Sequence, residues 1–146
     1  MGAVGKGYAL DRAASVLREH GIRRALLHGG TSSVHALGEG EDGGPWRIGW
    51  RVPGREPEVE PLCLEAPALS ISAPHGKCFV VDGQTYGHVL DPRCGEPTRG
   101  ALSAMVSGPS STLCDALSTA LLVQGEPGAL PLAARFPGYA FRLAVG

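Results

Sequence analysis

The chain has 146 residues, of which 43% are hydrophobic and 18% charged, and its 13 basic and 14 acidic side chains leave a net charge of −1. That length suits one domain with a real core, and the mean hydropathy of +0.03 is not that of a disordered chain. The near-neutral balance leaves no electrostatic footprint for nucleic acid or an anionic membrane, and no apolar run approaches the roughly 18 residues of a transmembrane segment.

Residues 1–7 carry neither a leader pattern nor, with Lys6 in sixth place, a myristoylation pattern, which makes the cytoplasm the default compartment. Helical spacing of Ala9, Ala13, Val16 and Leu17 predicts a helix over 6–20, with Gly21 closing it. Short strands are predicted over Arg24 to His28 and Ser33 to Leu37, then a loop over 39–45. Period-2 alternation of Trp46, Ile48, Trp50 and Val52 predicts a half-buried strand. Residues 53–61, with three prolines, read as a surface connection, followed by short strands at Leu62 to Leu64 and Ala68 to Ser72. Asp82-Gly83 between apolar runs predicts a hairpin, and 91–97 a turn-rich loop. Leu102 to Ser107 reads as a strand. Ser110 to Val123 is the clearest helix, capped by Ser110 or Ser111 and ended by Gly125. A short helix over Leu130 to Arg135 and a strand over Tyr139 to Val145 complete the chain. The expected fold is α+β, a mostly antiparallel sheet with two main helices packed on it.

Four cysteines, at 63, 78, 94 and 114, form no C-x-x-C pair and read as ordinary reduced thiols. His28, His35 and His75 carry no metal-ligand spacing. Asp115, Ser118 and Thr119 share one helix face. Their oxygens suit Mg²⁺. They equally suit a structural role, an acid near a helix start and hydroxyls bonded back to a carbonyl. Lys6, after the glycine-rich Gly2-Ala3-Val4-Gly5, stands either against a phosphate or in solvent. His88 is an acid, base or ligand candidate, or a satisfied polar residue.

Four blocks in order resemble one family. They are Gly2-Ala3-Val4-Gly5-Lys6-Gly7-Tyr8-Ala9-Leu10-Asp11; His28-Gly29-Gly30 with Ala36-Leu37-Gly38 and Pro45-Trp46-Arg47-Ile48-Gly49; Gly87-His88-Val89-Leu90-Asp91-Pro92-Arg93-Cys94-Gly95-Glu96-Pro97; and Cys114-Asp115-Ala116-Leu117-Ser118-Thr119-Ala120-Leu121. The chain resembles the C-terminal part of the FAD:protein FMN transferases, the ApbE family of flavin transferases. The resemblance implies a T-fold-like domain over 1–146, incomplete at its N-terminus. It implies Mg²⁺-dependent transfer of FMN from FAD to a threonine hydroxyl of an acceptor protein, with release of AMP. Carried over by motif, the ion is held by the carbonyl of Ala3 and by Asp115, Thr119 and the Ser118 position. Lys6 lies along the FAD, and His88 and Leu90 border the flavin nucleotide, with His88 also assisting removal of the threonine proton.

Two segments depart from the family pattern: Ile71-Ser72-Ala73 stands for T-S-G, and Cys94 for the threonine of D-P-x-T-G. Family members are about twice as long. The expected partners therefore include a missing N-terminal half or a second copy of the chain, and the half's exposed apolar surface predicts dimerisation or poor solubility. The alternative is a divergent or truncated module that binds flavin nucleotide or Mg²⁺ without transferring. Relatives are often exported or membrane-anchored.

Overall fold

A computed structural model describes residues 2–52, 59–74 and 78–146. His75 and positions 53–58 of the expected connection lie outside the described residues. In chain order the elements are α1 (Gly5–Glu19), β1 (Ala25–His28), β2 (Ser33–Leu37), β3 (Arg47–Arg51), β4 (Val59–Cys63), β5 (Ala68–Ser72), β6 (Cys78–Val81), β7 (Gln84–Gly87), β8 (Ala101–Gly108), α2 (Ser111–Gln124), α3 (Glu126–Arg135) and β9 (Ala140–Val145).

The centre is a five-stranded sheet in the order β1-β2-β5-β8-β9, antiparallel at every pairing. Alternation along the strands gives its two faces separate tasks. On β5, Ala68 joins the cluster beneath α2, while Leu69 and Ile71 join the cluster on the opposite face. That opposite cluster gathers Trp50, Val52, Leu64 and Met105, with Trp46, Ile48 and Leu62 packed around it. The hairpin β3–β4 therefore roofs the face away from the helices, and Trp50 Nε1 donates to Ser103 Oγ at 3.1 Å. On the helix face Leu117, Leu121 and Leu122 of α2 pack on Ala104 and Val106 of β8. Each such fully buried leucine contributes about 2 kcal/mol.

The two main helices, α1 and α2, and the expected short third one, α3, lie on the sheet. α3 begins at Glu126, four residues before the expected start, because the breakers Pro127 and Gly128 obscure it. Pro127 is harmless in a first helical turn, and burial of Leu132 against α2 holds the segment helical despite Pro131. A second difference is β4, which starts at Val59 and includes Pro61. Proline is tolerated there because β3 and β4 form a two-stranded ribbon with free edges. The hairpin at Asp82-Gly83 is present, with φ of 51° and 76°, the positive values a two-residue turn requires. Among the described residues no helix is long and apolar enough to cross a membrane.

Candidate functional site

The site is organised by the way α1 and α2 meet. They touch at their first turns, where a Cβ at Gly7 would overlap the Ser111 carbonyl oxygen. Glycine is therefore required at position 7 by space rather than by backbone angle. At that contact each helix satisfies the other's N-terminal N–H groups, which have no partner in their own helix. Asp11 of α1 accepts from the backbone N–H of Ser111 and Thr112 and from the hydroxyls of Ser110 and Thr112, all within 2.9 Å. Burial alone would raise the Asp11 carboxyl. The four donors outweigh it, Thr112 foremost, and hold its pKa down at about 2.

In the other direction, Asp115 of α2 accepts from the Gly7 N–H of α1 at 3.1 Å through Oδ2. Asp115 is only 2% exposed, and a buried carboxylate requires compensation. The positive end of α1 supplies part of it. Its other oxygen, Oδ1, has longer contacts: Ser70 Oγ at 3.4 Å and Lys6 Nζ at 3.9 Å. Behind it the hydroxyls of Ser118 and Thr119 donate to the Asp115 carbonyl at 3.1 and 3.2 Å. Both also lie within hydrogen-bond distance of Ser72 Oγ, at 2.9 and 3.1 Å.

A further polar cluster ties the helix pair to β2. His35 Nε2 lies 3.3 Å from an Arg18 nitrogen. Arginine only donates, so Nε2 accepts and the ring proton sits on Nδ1, toward Ser111 Oγ at 2.7 Å and Asp11 Oδ1 at 3.3 Å. Burial lowers the His35 pKa and Arg18 lowers it further, against the opposing pull of Asp11. Of the thiols, Cys114 is buried and pushed up to about 12 by that burial, which leaves it unreactive. Cys63, Cys78 and Cys94 are exposed and unbridged.

Asp115 opens onto a cleft of about 1100 Å³, a volume on the scale of a large ligand. Ala3, Lys6 and Thr119 line it beside Asp115, and His88 and Leu90 line it from the segment after β7. That segment is pinned by a bridge between Leu90 and Pro97 and by the Thr98 N–H on Val89 O. In the turn beyond, Arg93 makes side-chain and backbone bonds to Asp91 and holds its carboxyl down at about 2. Of the seven residues singled out from sequence, six face the one cleft. Ser118 is fully buried and is not part of the lining.

Sequence reasoning missed Asp11, His35, Ser70 and Ser72 as members of the site's framework. For the three strand residues the signal was the alternation of polar residues in otherwise apolar strands, Ser33 and His35 in β2 and Ser70 and Ser72 in β5; Asp11, in α1, had no such signal. His35, Ser70 and Ser72 bond to Ser111, Asp115, Ser118 and Thr119 of α2, and Ser33 bonds to Ser70. Among the described residues no three His, Cys, Asp or Glu side chains gather to hold a metal. A cation here would rely on one carboxylate plus hydroxyl and carbonyl oxygens, a hard set that fits Mg²⁺ and not a soft metal. The fit rests on Asp115 Oδ1, whose long contacts leave room for an ion.

Fold and cleft together define an α+β domain with an open cleft, whose buried carboxylate meets a helix N-terminus at the cleft wall. Residues 1–143 match the ApbE family model, and the chain belongs to the ApbE family. It is 38% identical over 127 residues to an FAD:protein FMN transferase of Rhodobacter capsulatus, covering 86% of this chain and 24% of that protein. It is 31% identical over 128 residues to an FAD:protein FMN transferase of Escherichia coli strain K12, covering 86% and 36%. The fold superposes on the ApbE protein of Thermotoga maritima with a TM-score of 0.85 and 30% identity, over 98% of this chain and 47% of that one. For the apo form of the flavinyl transferase ApbE of Pseudomonas stutzeri the TM-score is 0.73 at 29% identity, over 97% and 48%. The chain thus spans about a quarter to a third of these curated relatives and about half of the solved chains.

Proposed function

We propose that this chain carries the cation and flavin-nucleotide site of an FAD:protein FMN transferase, acting on FAD and a threonine hydroxyl of an acceptor protein and releasing AMP. The observation that carries the reading is the convergence of Asp115, Lys6, Thr119 and His88 on one cleft of nucleotide size. In this reading the carbonyl of Ala3, the Asp115 carboxylate and the Thr119 hydroxyl hold Mg²⁺. Ser118 would join them only by releasing its bond to the Asp115 carbonyl or its contact with Ser72. Mg²⁺ bound there would neutralise charge on the pyrophosphate as it is cleaved.

The remaining work falls to the chain's own groups. Lys6 pairs with phosphate oxygen, and Leu90 covers the nucleotide with an apolar surface. The threonine oxygen attacks the phosphorus of the FMN moiety, a new P–O bond forms, and the pyrophosphate P–O bond breaks to leave AMP. His88 takes the threonine proton as general base. Phosphoryl transfer of this kind depends on positioning and charge neutralisation more than on covalent help from the protein.

The test is incubation with FAD, Mg²⁺ and a threonine-bearing acceptor protein, read as covalent flavin fluorescence on the acceptor. Flavin on the acceptor with the wild-type chain, and none with Asp115→Asn, is the expected result. An acceptor that stays unlabelled with the wild-type chain, even when the N-terminal half of a relative is added, would overturn the transferase reading.

A further inference from the structure

We propose that Lys6 is a place-holding cation: its ammonium compensates Asp115 until a divalent ion arrives, and is then released onto the anionic ligand. This rests on the reading above that Asp115 carries the ion.

The argument begins with the two oxygens of Asp115, which are held unequally. Oδ2 is fixed by the Gly7 N–H. Lys6 is the residue before Gly7, so its backbone is anchored at the same helix start while its side chain reaches the other oxygen. Its Nζ lies 3.9 Å from Oδ1, too long for a hydrogen bond. At that distance the ammonium offsets the buried charge without closing the lone pairs that an ion would use. The Lys6 side chain is 45% exposed, whereas that of Asp115 is 3% exposed. One partner is therefore half-open to water and the other buried.

A compact charge on a four-carbon stem suits a change of partner. Lys6 also lines the cleft itself, so a released ammonium still faces the ligand. A divalent ion and an ammonium cannot share Oδ1 without repulsion. The same lysine therefore opposes the bare ion and favours the ion together with an anion. That coupling would keep the site from filling with metal in the absence of nucleotide.

The experiment is calorimetric titration of the ligand-free protein with Mn²⁺, using wild type, Lys6→Met, Lys6→Gln, Lys6→Arg and Asp115→Asn. FAD titration at saturating Mg²⁺, read by flavin fluorescence, is run alongside. Both neutral variants should bind Mn²⁺ at least about fivefold more tightly than wild type, the size of one unit-charge repulsion near 4 Å in water. They should bind FAD more weakly, and Lys6→Arg should restore both values. Mn²⁺ affinity in both neutral variants equal to or below wild type, with binding still abolished by Asp115→Asn, overturns the proposal and leaves the metal reading intact. Absence of any Asp115-dependent Mn²⁺ binding in every variant overturns the metal reading and the proposal with it.

Discussion

Asp11 and Asp115 are each the N-terminal acceptor of a helix they do not belong to, and the two carboxylates differ in what else they touch. Asp11 is saturated by four donors, so its role is structural. Asp11→Ala should cost about 1–2 kcal/mol at neutral pH, the usual cost of a lost cap, measured by urea unfolding. The sign of its pH dependence follows from the depressed pKa. Its folded value of about 2 lies below the ordinary 3.8, so the contribution is complete above the unfolded pKa and is lost as pH falls through about 2. The stability gap between wild type and Asp11→Ala should therefore close as the solution is acidified across that window. Asp115 keeps an under-used oxygen at the cleft. On the proposed reading that Asp115 holds Mg²⁺, and since loss of partners around a metal ligand alone costs 10–100-fold in affinity, Asp115→Asn should weaken Mg²⁺-dependent FAD binding at least about tenfold, by fluorescence titration. Asp115, Lys6 and His88 were legible as candidates because each sits in a recognisable motif. Asp11 was not, although it lies inside the first of those motifs. Its partners are about a hundred positions away, and no local pattern encodes a cap supplied across a helix contact.

Elements that depend on local rules were readable. α2 shows a regular apolar face, its Ser110 side chain accepts from Leu113 N–H, and Gly125 ends it at φ 65°. β2 and β5 occupy the expected residues. α3 was shortened and β4 delayed in the reading from sequence, because proline and glycine carry a local penalty that packing and free edges override. The contact between α1 and α2 gives a paired test. Gly7→Ala places a methyl against the Ser111 carbonyl and should destabilise by about 1–3 kcal/mol through overpacking. Gly5→Ala, in the same helical turn and with nothing within 4 Å of its Cβ, should be neutral or stabilising by up to about 1 kcal/mol. Chemical denaturation of the two variants distinguishes a helix-contact requirement from a general preference for flexible backbone.

Over the whole molecule, apolar surface is unevenly distributed. Phe79 and Val80 of β6 are 60% and 64% exposed, with Phe79 stacked on Tyr86 across the ribbon. Among the described residues β6 pairs with β7 alone, and an apolar strand with an unpaired edge is prone to association. The chain should elute larger than a monomer as concentration rises in size-exclusion chromatography with light scattering. Val80→Lys should reduce that shift without lowering the melting temperature, because Val80 has no place in either core cluster. The sequence by itself determined the α+β class, the two long helices, most strands and, through four ordered motifs, the family. Those features depend on neighbours a few positions apart or on whole motifs. Only the tertiary structure decided that Gly7 must lack a side chain, that Asp11 and Asp115 cap one another's helices, and that Ser118 stands behind the cleft while Ser72 braces it. Each of these depends on two segments separated by tens of residues arriving at one point. Packing of the two helix starts against each other on a sheet with a polar inner stripe is what brings them there.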